Sequence, residues 1–256
     1  MGLYFNLASV SVSDPEGDPL TTRRAGQRSV PSELASRFDL VVERIPVAGR
    51  TLSILAVRDT NKLLDAIDPA TFALDERLPF WAELWPSSIA LARFCLERCP
   101  VAGRTVLELG CGLGVAGIAA ALAGASVTMT DYEEDALAFA RWNVSQNPGD
   151  GIPGGSVSIR HLDWREPGSP GVFDLIIGSD IIYDRRHSGP LLDLFDRHLA
   201  PDGTAVLTDP GREAGREFIE SARRRGFTVA STGWMVDWRA RTHHGVCLEV
   251  RRDGIS

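Results

Sequence analysis

The sequence predicts an α/β fold in which a mostly parallel, doubly wound sheet carries helices on both faces. Thr105–Leu109 has the apolar pattern of a buried strand, and it runs through a glycine turn into a helical pattern that starts at Val115. Further strand patterns alternate with helical ones as far as residue 251, which is typical of a parallel sheet. The 256 residues, of which 44% are apolar, can bury a large core, so we expect a single enzyme domain.

Two N-terminal parts precede the predicted main domain at 79–256. Residues 1–31 are polar and rich in Ser, Asp, Pro and Arg, which predicts a flexible segment. Residues 32–78 contain two β-branched runs, at 38–47 and 51–57, and this pattern predicts a β-hairpin extension. Such an extension either shapes a substrate entrance or only covers apolar surface of the sheet.

The glycine turn, TVLELGCGLGVAG at Thr105–Gly117, predicts a site for a nucleotide-like cofactor. Gly110 and Gly112 have no side chain that would keep a ligand away from the backbone. Glycine spacing alone leaves the ligand open, because Gly112, Gly114 and Gly117 also satisfy the dinucleotide pattern GxGxxG. An NAD-dependent oxidoreductase is therefore one alternative.

Glu108 favours S-adenosylmethionine over a dinucleotide. It lies inside the apolar strand, where a carboxylate is costly unless a cationic or hydrogen-bonding group meets it. A carboxylate would repel a pyrophosphate. It suits the ammonium and sulfonium groups of S-adenosylmethionine, which has no phosphate.

Two further acids follow the next two predicted strands. Asp131 can accept hydrogen bonds from both ribose hydroxyls, which suits NAD equally well. Asp163 can accept from an adenine amino group, and Trp164 offers a flat face beside it. As an alternative, both aspartates only cap turns or helices.

A tryptophan pair lies just before a helix that is predicted to start at Pro86. Trp81 and Trp85 are four residues apart, a spacing that fits core anchors as well as ligand contacts. We predict that Trp85 walls the methionine end of the cofactor, and we leave Trp81 open between the two roles.

The strand pattern at 171–179 ends directly before Asp180 and Tyr183, which are spaced as DxxY. In a doubly wound sheet, the strand beside the cofactor strand presents its carboxyl end to the ligand crevice. Both side chains would therefore face the transferable methyl group. The alternative is a capping aspartate and a core tyrosine.

Five sequence pieces, in order, resemble the seven-strand (class I) methyltransferases called methyltransferase family 16. They are FWAELWPS, LELGCGLGVAGI, DYEEDAL, LDW and SDIIY, and they cover roughly Pro79–Tyr183. The family consists of protein-lysine methyltransferases and includes a chaperone branch and an electron-transfer flavoprotein branch. DYEEDAL resembles the first branch, whereas TDPGR at Thr208–Arg212 resembles the second.

The resemblance implies a Rossmann-like, seven-stranded, mostly parallel sheet, S-adenosyl-L-methionine as the cofactor and a protein substrate with an accessible lysine. It implies cofactor contacts at Trp85, Gly110, Cys111, Gly112, Asp131, Trp164 and Ser179. Glu108 and Asp163 join this set because of their chemistry. Asp180 and Tyr183 would form the catalytic pair. Asp180 would attract the ammonium and orient the amine without acting as a general base, while Tyr183 closes the channel or accepts a hydrogen bond.

Other functions stay open at this point. A small-molecule amine acceptor needs no long motif. Nucleobase amines are disfavoured, since their enzymes commonly have two prolines between the acid and the aromatic residue, where this chain has Ile181 and Ile182. The oxidoreductase alternative leaves Glu108 and the DxxY pair unexplained. A non-catalytic module that binds the cofactor is also compatible with the motifs.

The composition of the chain disfavours some classes of binding partner. A formal net charge of −7 opposes a general nucleic-acid-binding surface. The four cysteines form no CxxC pair, so no metal site is predicted. No stretch has the pattern of a membrane span or of a basic-then-apolar leader, and we expect a cytoplasmic protein.

Overall fold

The computed structural model describes residues 29–65, 78–148 and 155–253. Most of the predicted flexible segment and residues 66–77 of the predicted extension lie outside the described residues. The N-terminal part contains α1 (Ser32–Arg37), β1 (Leu40–Val47), β2 (Arg50–Val57), α2 (Asn61–Asp65) and a short 3₁₀ helix (Phe80–Ala82). The main domain contains α3 (Pro86–Glu97), β3 (Thr105–Leu109), α4 (Val115–Leu122), β4 (Ser126–Asp131), α5 (Glu134–Gln146), β5 (Ser156–His161), β6 (Phe173–Ser179), a second 3₁₀ helix (Arg185–His187), α6 (Ser188–His198), β7 (Leu199–Asp209), α7 (Glu213–Arg224), β8 (Phe227–Trp238) and β9 (Arg241–Arg252).

Strands β3 to β9 form one sheet in the order β5-β4-β3-β6-β7-β9-β8. Strand β9 pairs antiparallel with β7 and β8, whereas the other neighbouring strands pair in parallel. Successive residues of β3 point to opposite faces. Val106 packs in a core with α3, α4 and α5, and Leu107 packs in a second core with α6 and α7. The prediction of a seven-stranded, mostly parallel sheet with helices on both faces is confirmed.

The strand order creates one crevice at the carboxyl edge of the sheet. From β3 the chain proceeds outward through β4 to β5, and then returns to place β6 on the other side of β3. Such a switch point opens a ligand-binding crevice between neighbouring strand ends. The ends of β3, β4, β6 and β7 bring Gly110, Asp131, Asp180 and Asp209 to this edge.

The predicted β-hairpin is formed by β1 and β2, which pair antiparallel over their full lengths. Ile54 and Leu55 of β2 are fully buried in the core beside α5. The Asn143 amide binds the hairpin to α5, because its oxygen accepts from the Leu55 N–H at 2.7 Å and its nitrogen donates to the Leu55 carbonyl at 3.2 Å. The hairpin therefore covers the helices on one face of the sheet.

The sequence predicts strands at 227–232 and 245–251, and the observed strands β8 and β9 are longer. Their pairing continues to Trp238 opposite Arg241, while β7 pairs with β9 only as far as Val246. The extra length forms a two-stranded ribbon whose tip residue, Arg239, contacts Glu83 at 3.0 Å. In the described part of the chain, no helix is long and apolar enough to cross a membrane.

Candidate active site

The loop between β3 and α4 has a backbone that favours glycine. Gly110, Gly112 and Gly114 have φ angles of 61°, 50° and 86°, in the left-handed region that other residues rarely adopt. A Cβ atom on Gly110 would lie 2.9 Å from Ile181 Cγ2, and one on Gly112 would lie 3.2 Å from the Trp81 carbonyl oxygen. At Gly110 and Gly112, both the backbone conformation and the close neighbours therefore disfavour any side chain.

Glu108 lies beneath this loop with a buried side chain. Its Oε1 accepts a 3.1 Å hydrogen bond from the Gly117 N–H in the first turn of α4. Its Oε2 is buried and has no hydrogen-bond partner among the described residues. Burial raises the pKa of Glu108 to about 8. An unpartnered acceptor beside the loop is compatible with the predicted contact between Glu108 and a cationic ligand group, which stays a prediction.

Glu108 is expected to make stability depend on pH. The folded protein keeps this carboxyl protonated up to about pH 8, whereas an ordinary glutamate has a pKa of 4.5. Between these values the folded state binds one more proton than the unfolded state. The free energy of unfolding should therefore fall as pH rises, by up to about 1.4 kcal/mol per pH unit.

Thermal unfolding at several pH values tests this expectation. Glu108→Gln should remove most of the slope between about pH 5 and pH 8, since glutamine has no proton to lose. Glu134→Gln is the matched control because it removes an exposed carboxylate at the start of α5. An unchanged slope in Glu108→Gln would mean that other groups cause it.

Asp131 ends β4 and holds the glycine loop. Its Oδ2 accepts a 2.8 Å hydrogen bond from the Gly112 N–H, and its Oδ1 accepts one of 3.0 Å from the Glu133 N–H. Burial raises the pKa of Asp131 above its usual range, while these backbone donors lower it. The capping alternative is therefore observed at Asp131. The Asp131 carboxylate lies beside the glycine loop. Its contact with the ribose of a cofactor stays a prediction.

Asp163 and Trp164 follow β5 at the same edge. The Asp163 carboxylate accepts hydrogen bonds from the backbone and the side chain of Arg165, the shortest at 2.6 Å. These bonds stabilise the turn that contains both residues. The Trp164 ring comes within 3.3 Å of the position that a Cβ on Gly110 would take. Trp164 is thus placed against the glycine loop, and the adenine contacts of both residues stay predictions.

The remaining predicted cofactor contacts also lie along this edge. Cys111 is buried within the glycine loop, and its N–H donates to the Thr130 carbonyl at 2.9 Å. Ser179 is the last residue of β6 and pairs in register with Thr208 of β7. Both positions therefore bring backbone groups to the crevice.

Asp180 is held by side chains from two distant segments. Its side chain is 8% exposed and its φ angle is 61°. Its Oδ2 accepts a 2.8 Å hydrogen bond from Ser87 Oγ at the start of α3. Its Oδ1 accepts a hydrogen bond from the guanidinium of Arg212, which also lies 3.2 Å from Asp209 Oδ2. Burial raises the pKa of Asp180, while the charge of Arg212 lowers it. Sequence reasoning missed the site roles of Ser87, Asp209 and Arg212.

Five aromatic side chains form a row across the crevice, which we call the aromatic rim. In order they are Trp85, Phe80, Tyr183, His187 and Trp164. Consecutive rings meet edge to face, with centroids separated by 6.0, 5.4, 4.7 and 5.3 Å. Tyr183 is 45% exposed, so the alternative of a core tyrosine is wrong. No sequence pattern indicates a site role for Phe80 or His187, although Phe80 lies in the FWAELWPS piece.

Trp81 and Trp85 have different surroundings. The centroid of the Trp81 ring lies 5.8 Å from that of Phe38 and 5.2 Å from that of Phe139, which is fully buried. Trp81 is therefore a half-buried residue that packs against the core. Trp85 instead belongs to the rim, and its indole N–H donates to the Phe80 carbonyl at 2.9 Å.

This strand order, with a glycine loop after β3, defines a seven-strand methyltransferase fold. One solved structure with this fold is a magnesium protoporphyrin IX methyltransferase from Synechocystis PCC 6803. Its TM-score is 0.50 at 18% identity, over 77% of this chain and 98% of that chain. A second is an S-adenosylmethionine-dependent methyltransferase from Methanosarcina mazei, with a TM-score of 0.53 at 13% identity, over 67% of this chain and 99% of that chain. At these identities the likeness concerns the fold alone.

The chain belongs to the lysine methyltransferase family, whose model matches residues 79–225. The resemblance inferred from the sequence is thereby confirmed. Protein N-lysine methyltransferase METTL21A of Danio rerio is 38% identical over 139 residues, which cover 52% of this chain and 61% of that protein. The electron transfer flavoprotein beta subunit lysine methyltransferase of Xenopus laevis is 36% identical over 141 residues, covering 52% and 53%.

A histidine protein methyltransferase 1 homolog of Dictyostelium discoideum is 31% identical over 157 residues, which cover 59% of this chain and 48% of that protein. The matched segments thus span between 48% and 61% of the lengths of these three relatives.

Proposed function

We propose that this protein transfers the methyl group of S-adenosylmethionine to a lysine side-chain amine of another protein. The observation that carries the proposal is the Asp180 carboxylate, which follows β6 at the carboxyl edge of the sheet and accepts hydrogen bonds from Ser87 and Arg212. Membership of the lysine methyltransferase family supports the reaction class.

The residues at the edge of the sheet fit S-adenosylmethionine. Gly110 and Gly112 themselves carry no side chain, and the Trp164 ring lies close to Gly110. Glu108 Oε2 offers an unpartnered buried acceptor nearby. We propose that these residues hold the cofactor together with Trp85, Cys111, Asp131, Asp163 and Ser179. When bound, the cofactor supplies a methyl group that is already activated on a sulfonium.

The charges around Asp180 favour a cationic acceptor. Two buried carboxylates, Asp180 and Asp209, face the single guanidinium of Arg212. With both carboxylates ionised, this cluster carries one net negative charge, which attracts the ammonium of an incoming lysine. The rings of Phe80 and Tyr183 can add a cation–π attraction at the entrance.

Methyl transfer then requires a neutral amine whose lone pair points at the methyl group. A lysine ammonium, with an ordinary pKa of about 10.4, releases its proton to water more readily in a desolvated site beside other positive charge. Asp180 orients this amine through the acceptor sites that its two oxygens still have. It is not the base, because the hydrogen bonds from Ser87 and Arg212 favour its ionised form and so make it a weaker base. In-line positioning of the amine supplies most of the rate enhancement.

The openness of the aromatic rim favours a protein acceptor over a small molecule. Phe80 and Tyr183 are 37% and 45% exposed. Small-molecule pockets usually bury about 70–90% of their ligand. A rim that opens to solvent suits a lysine side chain that projects from the surface of a larger partner.

The direct test is transfer of isotopically labelled methyl from S-adenosylmethionine into a desalted lysate, with the Asp180→Asn protein as the blank. We expect label in one or a few protein bands and ε-N-methyllysine after acid hydrolysis. Methylhistidine in the hydrolysate would identify histidine as the acceptor instead of lysine. One relative, from Dictyostelium discoideum, is named a histidine protein methyltransferase 1 homolog. Label confined to small molecules or nucleic acid would overturn the protein acceptor.

Tyr183 is expected to act through its ring at the entrance. Tyr183→Ala removes the ring between Phe80 and His187, so kcat/KM for the protein acceptor should fall about tenfold, the equivalent of one cation–π contact. Tyr183→Phe keeps the ring and serves as the matched control. Steady-state kinetics measure both. Equal losses in the two variants would assign the effect to the hydroxyl group instead of the ring.

A further inference from the structure

Arg212 connects the ends of two neighbouring strands at the site. Its guanidinium donates to Asp180, which follows β6, and lies 3.2 Å from the carboxylate of Asp209, the last residue of β7. Asp180 and Asp209 are 8% and 0% exposed at their side chains, whereas the Arg212 side chain is 33% exposed. The arginine side chain is thus partly exposed, whereas the side chains of the two acids are buried.

Asp209 holds Arg212 through several hydrogen bonds. Asp209 Oδ1 accepts hydrogen bonds from the backbone N–H groups of Gly211 at 2.6 Å and Arg212 at 2.8 Å. Gly211 adopts a φ angle of 91°, which turns the chain into α7. Asp209 thus binds both the backbone and the guanidinium of Arg212, and these contacts orient the guanidinium toward Asp180.

We propose that Arg212 is a positioning residue for methyl transfer, which holds Asp180 as an ionised carboxylate in the orientation that receives the acceptor amine. The proposal rests on the proposed function for its kinetic consequence, but its electrostatic content concerns Asp180 alone. Asp209 completes the arrangement, because its second negative charge leaves one charge unbalanced for the acceptor's ammonium.

The surroundings of Asp180 make Arg212 the dominant favourable charge. From α3, Ser87 donates a neutral hydrogen bond, and from β7, Thr208 accepts the Asp180 N–H at 2.8 Å. Asp209 is the nearby charge that opposes ionisation. On the segment that follows Asp180, the titratable side chains of Tyr183 and His187 lie in the aromatic rim. Without the guanidinium, two buried carboxylates would face each other, and Asp180 would become protonated more easily.

The test compares four variants: Arg212→Gln, Arg212→Lys, Asp209→Asn and Arg216→Gln. Arg212→Gln removes the charge, whereas Arg212→Lys keeps it without the planar fork. Asp209→Asn keeps the Oδ1 acceptor for the turn but removes the second negative charge. Arg216→Gln, on the exposed side of α7, is the matched control for loss of a cation.

The first readout is the titration of the Asp180 carboxyl by ¹³C NMR, assigned by its absence in Asp180→Asn. This measurement needs no turnover. Compared with the wild type, Asp180 should titrate at higher pH in Arg212→Gln, at lower pH in Asp209→Asn, and at the same pH in Arg216→Gln. An unchanged Asp180 titration in Arg212→Gln overturns the proposal. If Arg212→Gln does not fold, an unchanged titration in Asp209→Asn does so.

The second readout is the pH dependence of methyl transfer. Arg212→Gln should lose about tenfold or more in kcat/KM at pH 7, and the ratio to wild type should recover as pH rises and Asp180 ionises. Asp209→Asn should raise KM for the acceptor with little change in kcat. A loss in Arg212→Gln that is equal at all pH values would assign Arg212 a purely structural role. A wild-type protein that methylates no lysine would refute the proposed function, while the NMR titration still decides the role of Arg212.

Discussion

The Asp180→Asn variant is expected to lose methyl transfer by about 10²-fold or more, the loss that a misplaced reactant costs. Asparagine has nearly the same shape and tolerates the left-handed backbone at this position, where φ is 61°. It still offers one oxygen to Ser87 or Arg212. The change therefore removes the negative charge while preserving most of the packing, and leaves the cluster with no net charge to attract an ammonium.

Cofactor binding separates this effect from general damage. No described contact joins the Asp180 side chain to the glycine loop, so the Kd for S-adenosylhomocysteine, measured by calorimetry, should stay within about threefold of wild type. Single-turnover kinetics with saturating cofactor measure the chemical step. Wild-type turnover in Asp180→Asn would remove this residue from the mechanism.

The second large effect is expected at Trp81, on stability. Its ring packs with Phe38 and the fully buried Phe139, and its carbonyl oxygen lies against Gly112. Trp81→Ala should lower the free energy of unfolding by about 2–4 kcal/mol, because it leaves a cavity between the N-terminal part and α5. Chemical denaturation followed by circular dichroism measures the loss.

Phe80→Ala is the matched control for Trp81→Ala. The two residues are adjacent, but Phe80 is 37% exposed and contacts the rim residues Trp85 and Tyr183. Its removal should cost about 1 kcal/mol or less in stability while weakening use of the acceptor. A larger stability loss in Phe80→Ala than in Trp81→Ala would contradict the assignment of one ring to the core and the other to the rim.

Local patterns sufficed to predict the glycine loop and the acids at strand ends. The spacing of Gly110 and Gly112 after an apolar strand is a property of a few consecutive residues, and the structure places both in left-handed conformations. The positions of Asp131 and Asp180 are local in the same sense, because Asp131 is the last residue of β4 and Asp180 directly follows β6. Parallel strands bring their carboxyl ends to one edge, so sequence position alone predicts that these residues gather there.

What those acids contact could not be predicted in this way. Asp131 and Asp163 carry acceptors suited to a cofactor, yet in the structure they bind the Gly112 backbone and Arg165. The two tryptophans illustrate the same limit, because helical spacing treats them alike. Only packing against Phe139 assigns Trp81 to the core.

Short-range patterns of apolar residues, glycines and acids predict the fold class, the crevice and the identity of the acid after β6. They do not predict which side chains hold Asp180, because these come from distant parts of the chain. Its partners Ser87 and Arg212 are 93 and 32 residues away in the chain. Contacts at such separations depend on the order of strands in the sheet and on the seating of α3 and the β7–α7 turn, which no local pattern encodes. The aromatic rim has the same origin, since it joins rings from three separate segments across one crevice.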